Sequence, residues 1–452
     1  MRRLGLSVGR MLSVLGVLWA AGAAAEPLTA EQAVQMALQK NTQIVQAEAA
    51  VLDARGGLYG AYAGVLPSLR GSLSRFNSIT RGRQDAGVEF IGGMPFFNRT
   101  SSGFEAHGTT PSVSGSWSVL DVSSWTGLSA ARNTLKAANR SRQAARNDVA
   151  LSARRQFYEV VKSVRLAQVA TGALRLARDD ERRVHALFEV GSVSRGDLLK
   201  AQVRTAQSEL DSLTAQQVVL NQRIGLASLV GLPEAGLGEV DTVLTTEVQT
   251  FDEPALVSEA AKARPDILAA ESDLISARAS LNAARFARLP YVTASGQVLL
   301  GTESRSVSTV NGFVLPGFRT ETDRSLSGSI AVNLNLFDGF ATEARIASAR
   351  ARVMRAQEAR DALRRNLESE VHQALIDHRE AVERDRVARR AAESATENLK
   401  LTQEKYNIGS ATILELIDAQ VQLQRVQSDG VSALAAIRVA EAQIQRVRGR
   451  AE

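Results

Sequence analysis

The chain of 452 residues contains no cysteine. Disulfide bonds, thiolate metal sites and a lipid-modified N-terminal cysteine are therefore excluded. Histidine is also rare: His107, His185, His372 and His378 form no recognisable ligand motif, so we expect no metal site and no cofactor. Aromatic residues make up only 5% of the chain. This scarcity suits long helices better than a broad globular core.

Signatures of catalysis and of nucleic-acid binding are missing as well. The sequence has no glycine-rich phosphate loop, zinc-binding helix motif or nucleophile elbow, so we expect that the protein is not an enzyme. Basic residues number 54 and acidic residues 48. Because the arginines are spread along the helical segments instead of forming one patch, we expect no nucleic-acid partner.

Residues 1–25 have the pattern of a secretory signal peptide. Arg2 and Arg3 precede an apolar run, Met11 to Ala21, and small residues follow it. The run is shorter than the ~20 apolar residues that span a membrane as a helix, and no longer apolar run occurs after it. We therefore expect an exported protein, with cleavage at the end of this segment.

The rest of the chain repeats one order of segments: helix, strand, loop, strand, long helix, glycine turn, helix. Pro67 to Pro290, Asp121 to Asp338 and Gly191 to Gly409 are separated by 223, 217 and 218 residues. Such a nearly constant offset indicates an internal repeat. We predict a first repeat at 26–230, a connector at 231–254 and a second repeat at 255–452. The predicted helices are 28–64, 123–188, 197–230, 255–287, 339–405 and one from the second glycine turn to 448.

Four predicted strands, 68–77, 112–120, 291–301 and 325–337, alternate apolar residues with Ser, Thr and Asn. Each is about ten residues long, which is typical of a strand that spans a membrane in a barrel. A soluble sheet with one face on a core is the alternative, but no other segment looks like a cover for the apolar faces. The segments 77–110 and 302–324 are interpreted as polar loops.

Four strands are too few to enclose a channel. Backbone groups in lipid must all be paired, so a barrel has to close, and several chains must contribute strands. Three copies would supply twelve. We predict an α+β membrane protein: a trimer in which a long α-helical coiled-coil barrel is continuous with a transmembrane β-barrel of four strands per protomer, with two internal repeats. A non-transport, structural coiled-coil protein of the cell envelope is the alternative.

The glycine turns carry the candidate site. Tyr406 to Gln424 reads YNIGSATILELIDAQVQLQ, and Phe188 to Gln202 reads FEVGSVSRGDLLKAQ. Glu415 and Asp418 are three residues apart, so they point from one face of the helix after the turn. In a symmetric tube each would form a ring of carboxylates, a typical cation-selectivity element. The alternative is that both are ordinary exposed residues that favour the start of a helix.

The chain resembles the TolC-like outer-membrane efflux channel family over essentially its whole mature length. The resemblance is carried by Leu66-Pro67, Leu289-Pro290, Phe337-Asp338-Gly339 and, above all, the two hairpin sequences. It implies a homotrimer in outer-membrane lipid with a helical tunnel in the periplasm. It also implies export of drugs, metals or, by type I secretion, proteins, together with a periplasmic adaptor (membrane fusion protein) and an inner-membrane transporter of the resistance-nodulation-division or ABC type.

The resemblance implies roles for side chains near the turns. Glu415 and Asp418 match two acidic positions that form the constriction at the periplasmic entrance in the family. Tyr406 and Asp197 match a latch in which a tyrosine on one hairpin bonds an aspartate on the other.

The resemblance further implies that the turns at Gly191-Ser192 and Gly409-Ser410 dock the adaptor. The connector would lie in the equatorial region of the tunnel, and the loops 77–110 and 302–324 would face outside. Ala411 stands where some members have a basic residue of a second latch, so here that link is missing or is made by another residue such as Arg195. The cargo and the class of pump are not specified by the sequence.

Overall fold

The computed structural model describes residues 27–244, 247–310, 313–322 and 324–450, so the predicted signal peptide lies outside it. The helices are α1 (Ala30–Lys40), α2 (Thr42–Ala63), α3 (Val122–Glu189), α4 (Arg195–Val230), α5 (Glu253–Ala263), α6 (Pro265–Phe286), α7 (Ala341–Asn407) and α8 (Ile413–Arg448). Within these described ranges, no helix is both long and apolar enough to cross a membrane.

Two of the predicted helices are each divided into two. The helix expected at 28–64 stops at Asn41, whose side chain accepts a hydrogen bond from the N–H of Gln43 at 2.9 Å and donates one to the carbonyl of Leu229 at 3.2 Å. The helix expected at 255–287 breaks at Arg264, because Pro265 disfavours the helical conformation of the residue before it. Apolar periodicity continues through both breaks, which is why a single helix was expected at each place.

The first helix begins with a capping box. The hydroxyl of Thr29 accepts a hydrogen bond from the N–H of Gln32 at 3.3 Å, and the side chain of Gln32 accepts one from the N–H of Thr29 at 3.0 Å. Two otherwise unpaired donors of the helix end are satisfied in this way.

The strands form one antiparallel sheet that is four strands wide along its length. They are β1 (Ser68–Ile91), β2 (Met94–Leu120), β3 (Tyr291–Leu299), β4 (Thr302–Val310), β5 (Phe313–Thr322) and β6 (Ser325–Asn333). Near the helices the order is β1-β2-β3-β6, and farther away it is β1-β2-β4-β5, because β4 replaces β3 as the neighbour of β2. The four predicted strands are thus confirmed, although β3 and β6 end before their predicted limits.

Both segments that were expected to be polar loops are strands, so that expectation was wrong. β1 and β2 continue through 77–110 to a two-residue turn at Gly92–Gly93, and β4 and β5 occupy most of 302–324. The Gly, Ser and Asn content of the first segment and the polar composition of the second suggested loops. However, backbone pairing with strands on either side supports a strand whose side chains are polar.

The sheet next to the helices has one apolar face, and that face is exposed in the single chain. Leu69, Leu326 and Ile330 are 82%, 81% and 79% exposed. The opposite face carries serine pairs across strands, with the hydroxyl oxygens of Ser295 and Ser329 2.8 Å apart. Removing one large apolar side chain from water is favourable by about 1.5–3 kcal/mol. Covering this face with apolar material would therefore be favourable.

Several aromatic side chains lie at the ends of the segments where strands meet helices. The indole N–H of Trp117 donates to the carbonyl of Val65 at 2.8 Å, and the rings of Phe337 and Phe340 pack edge to face with centroids 5.8 Å apart. Trp125, in the first turn of α3, is exposed. Aromatic residues at such a boundary are typical of a membrane–water interface.

The chain divides into two compact units, each built from both halves of the sequence. The sheet unit comprises Val45–Ala145 and Pro254–Glu370. The hairpin unit comprises the described residues of Met1–Ile44, Arg146–Glu253 and Val371–Glu452. In the hairpin unit the connector pairs with the start of the chain, since the N–H of Leu28 donates to the carbonyl of Glu239 at 2.7 Å.

Candidate gate at the helical hairpin turns

The two helical hairpins of the hairpin unit turn at a glycine with the same geometry. Gly191 and Gly409 both have φ of 74°. The N–H of Ser192 donates to the carbonyl of Leu187 at 2.8 Å, and the N–H of Ser410 donates to that of Lys405, also at 2.8 Å. This pattern is the Schellman motif, which closes the end of a helix and needs a left-handed residue. The structure therefore places both turns where the sequence predicts them.

The helices that follow the turns start alike. The hydroxyl of Ser194 accepts a hydrogen bond from the N–H of Asp197 at 3.2 Å, and the hydroxyl of Thr412 accepts one from the N–H of Glu415 at 3.3 Å. An acidic residue in this first turn is also favoured by the helix dipole. Glu415 and Asp418 are both exposed on α8. Their carboxylates are thus available at the surface beside the second turn.

The carboxylate of Asp197 is engaged within its own helix start. It accepts hydrogen bonds from the hydroxyl of Ser194 at 2.8 Å and from the ammonium of Lys200 at 3.3 Å. These bonds, with that from Ser194 the strongest influence, hold the pKa of Asp197 below its ordinary value. The carboxylate of Asp197 is therefore ionised at neutral pH and already has hydrogen-bond partners.

The predicted bond between Tyr406 and Asp197 is not formed in this structure. The hydroxyl of Tyr406 is buried and has no hydrogen-bond partner in the described part of the chain. Burial raises the pKa of Tyr406, and the carboxylates of Asp180 and Asp197 raise it further. The physical reason for the missing bond is that the first turn of α4 satisfies Asp197, while Tyr406 packs against the apolar cluster that contains Leu416.

A buried polar contact that the sequence reasoning missed lies near Tyr406. Asp180 of α3 and Gln420 of α8 are only 9% and 7% exposed. The side-chain amide of Gln420 donates a hydrogen bond to Oδ2 of Asp180, and a guanidinium nitrogen of Arg183 lies 3.7 Å from Oδ1. Burial is the main cause of a raised pKa at Asp180. This contact joins the two hairpins.

A signal for both residues exists in the sequence. Gln420 follows the buried residues Ile413 and Leu416 at helical spacing, and Asp180 lies between the buried residues Ala177 and Val184. Polar residues within such an apolar stripe face the core and require a partner. The signal was hidden at Asp180 because the run RDDERR around it resembles an ordinary solvated helix surface.

A two-faced strand sheet followed by long helical hairpins defines a class of outer-membrane channel subunits. Residues 33–232 and 256–450 match the model of the outer membrane efflux protein family. The chain belongs to this family, which is a family of transport channels and not of enzymes. The predicted resemblance is thereby confirmed.

Two bacterial proteins are similar in sequence to this chain. The chain is 26% identical to protein CyaE of Bordetella pertussis over 279 residues, 61% of this chain and 55% of CyaE. It is 32% identical to outer membrane protein OprJ of Pseudomonas aeruginosa over 167 residues, 37% of this chain and 33% of OprJ. The chain thus matches about half the length of these relatives or less.

A solved structure shows the same fold. The Campylobacter jejuni CmeC outer membrane channel superimposes with a TM-score of 0.74 at 17% identity, over 93% of this chain and 85% of CmeC. At this identity the comparison concerns the fold alone. It agrees with the predicted fold class of long helices joined to an antiparallel sheet.

Proposed function

We propose that this protein is the outer-membrane exit duct of an export system, working with an inner-membrane pump and a periplasmic adaptor. The observation that carries the proposal is the exposed apolar face of the sheet, with Leu69, Leu326 and Ile330 almost fully accessible. Outer-membrane lipid is the covering medium that suits strands with polar residues on the opposite face. The opposite face would then line a water-filled lumen.

The assembly that fits these strands is a homotrimer. Among the described residues β1 pairs only with β2, and β6 pairs only with β3. Both outer edges of the sheet therefore carry unpaired backbone groups, which lipid does not tolerate. Three chains that each contribute a sheet four strands wide would pair every edge and leave an open lumen. Long helices of three chains would continue the conduit as a periplasmic tunnel.

We also propose that the chain arose as two copies of one unit, at 26–230 and 255–452, joined by the connector at 231–254. Corresponding helices support the proposal by their lengths. α1 and α5 have 11 residues each, α2 and α6 have 22, α3 and α7 have 68 and 67, and α4 and α8 have 36. The identical turns at Gly191 and Gly409 support it as well.

The hairpin turns are proposed as the periplasmic mouth. Glu415 and Asp418 would each form a ring of three carboxylates that attracts cations. Tyr406 and Asp197 are proposed as latch groups that meet in the assembled closed mouth, which requires Asp197 to give up its present partners. Gly191-Ser192 and Gly409-Ser410 would offer their exposed loops to the adaptor.

For cargo, we propose small molecules such as drugs or metals, or proteins, with the choice made by the pump. An inner-membrane transporter of the resistance-nodulation-division type would supply small molecules, and one of the ABC type would supply proteins. A channel whose mouth is lined by carboxylates accepts either, since it filters by charge and width and not by shape.

The test of the proposal is isolation and reconstitution. The full chain expressed in a cell with two membranes should be recovered from the outer-membrane fraction as a heat-modifiable trimer, and in planar bilayers it should give single-channel currents. Monomers or soluble bundles without conductance would instead support the structural coiled-coil role and would contradict the channel.

A further inference from the structure

The contact between Asp180 and Gln420 ties together the two hairpins. Asp180 is on α3, before the first turn, and Gln420 is on α8, after the second turn. Val184 and Ala201 of the first hairpin pack with Ile413 and Leu416 of the second in one buried cluster. Asp180 and Gln420 therefore meet within an apolar interface, where water does not readily replace a lost hydrogen bond.

Charged and titratable groups near this contact lie on α3, α4 and α7. On α3, Arg183 lies 3.7 Å from Asp180, and its guanidinium also donates to Asn407 of α7 at 3.4 Å. The neighbouring Asp179 opposes the ionised form of Asp180. On α7, the pKa of Tyr406 is raised by the carboxylates of Asp180 and of Asp197 on α4. The hydroxyl of Tyr406 has no hydrogen-bond partner among the described residues.

We infer that Asp180 and Gln420 form a buried latch that holds the α3–α4 hairpin to the α7–α8 hairpin, and that the mouth opens only when this contact separates. The inference rests on the proposed channel function and adds positioning residues that the sequence comparison with the family did not indicate. It also gives the hairpins a link that does not depend on a basic residue at Ala411.

The latch has a pH dependence of definite sign. Burial raises the pKa of Asp180 in the closed arrangement, so closing favours the protonated acid. The resulting preference for the closed state is fully present below the ordinary aspartate pKa of about 3.9 and is lost as the pH rises through the raised pKa.

The first experiment compares single-channel open probability in three reconstituted trimers. Gln420→Leu leaves the buried carboxylate of Asp180 without its donor, so open probability should rise about tenfold or more over the parent. The matched control is Glu209→Gln, which breaks the exposed ion pair with Arg178 on the same hairpin at 3.0 Å. The control should behave like the parent, because exposed ion pairs contribute little. Equal open probability in Gln420→Leu and the parent would overturn the latch.

The second experiment uses Asp180→Asn, which keeps the shape of the side chain and cannot ionise. The open probability of the parent should fall as the pH is lowered. In the variant, the part of this fall that comes from Asp180 should be absent. Glu209→Gln, on the same hairpin and more exposed, is the control and should keep the parental profile, because Glu209 is not among the groups that shift the pKa of Asp180. A parental pH profile in Asp180→Asn would refute the inference even if Gln420→Leu failed to assemble.

A double-mutant cycle identifies the partner of Tyr406. If its hydroxyl turns to Asp180 during gating, Tyr406→Phe and Asp180→Asn should have non-additive effects on open probability, whereas Tyr406→Phe and Asp197→Asn should add. If Tyr406→Phe is instead non-additive with Asp197→Asn and additive with Asp180→Asn, Tyr406 bonds Asp197 and is not part of the Asp180–Gln420 latch.

Hydrogen exchange separates the latch from the channel proposal. In Gln420→Leu, the backbone amides of Ser192 and Ser410, which close the turns, should exchange faster than in the parent. This readout needs no current. Absence of conductance in the parent would overturn the channel function alone, while unchanged exchange in the variant would overturn the latch alone.

Discussion

Acidic side chains beside the hairpin turns occupy two kinds of surroundings. Glu415 and Asp418 are exposed on α8, whereas Asp180 is buried against Gln420. An exposed carboxylate acts on passing ions through its charge, which salt screens over about 8–10 Å. A buried carboxylate acts on its neighbours through hydrogen bonds and through the cost of its desolvation. The first kind suits a filter, and the second suits a latch.

Removing the exposed charges should change ion flow without changing assembly. In the double variant Glu415→Gln with Asp418→Asn, we expect a higher conductance or a weaker block by multivalent cations, because the proposed carboxylate rings would be absent. Bilayer recordings over a series of cation concentrations measure this. Asp429→Asn, an exposed position farther along α8, is the control. Parental conductance and parental block in the double variant would contradict the gate.

At the scale of elements, the two glycine turns are the parts most sharply determined by the sequence. Gly409 has φ of 74°, and a side chain at that angle costs about 1–2 kcal/mol. Gly409→Ala should therefore loosen the turn by about that amount, seen as faster exchange of the Ser410 amide.

A glycine within a helix provides the opposite case. Gly172 lies inside α3, and nothing within 4 Å would meet a Cβ there. Gly172→Ala should stabilise the helix locally by about 0.4–1 kcal/mol, with slower exchange of nearby α3 amides. The two substitutions are chemically the same, so equal effects would show that backbone angle does not decide the outcome.

The two faces of the sheet should respond differently to charge. Ile330→Arg puts a cation on the proposed lipid face and should cost about 2–4 kcal/mol near the membrane midplane. Ser327→Arg places the same residue on the opposite face of β6, where water would solvate it. We expect poor recovery of trimer from the outer membrane for Ile330→Arg only. Equal recovery of both variants would argue against lipid on the apolar face.

Elements with strong local signals could be predicted from the sequence, and elements fixed by distant pairing could not. The alternation in β6 and the turn at Gly409 depend on neighbouring residues, so the pattern reveals them. The outer parts of β1 and β2 pair with each other, and β2 also pairs with β4. The composition of these segments does not reveal this pairing. For the candidate site, Glu415 could be proposed because it lies just past a glycine turn and three residues before Asp418. Asp180 was missed because its partner is 240 residues away.

At the scale of the whole molecule, the absence of cysteine makes the proposed assembly simple to examine. A variant with Ser74→Cys on β1 and Ser327→Cys on β6 carries one thiol near each open edge of the sheet. A short bifunctional thiol reagent should give covalent dimers and trimers and no larger species, because a closed ring has no free edge. Either single variant should give no covalent trimer. An open-ended ladder would indicate a filament and not a closed trimer.

The turn at Gly92–Gly93 has a practical consequence. β1 and β2 have 24 and 27 residues, whereas a strand that crosses a membrane needs about 9–11. In the proposed orientation the surplus carries this turn well away from the lipid, toward the medium. Loop tips of this kind tolerate inserted sequence. A short antibody epitope grafted between the two glycines would then be displayed on living cells, three to each duct, so that intact bacteria could be stained, sorted or captured through this protein.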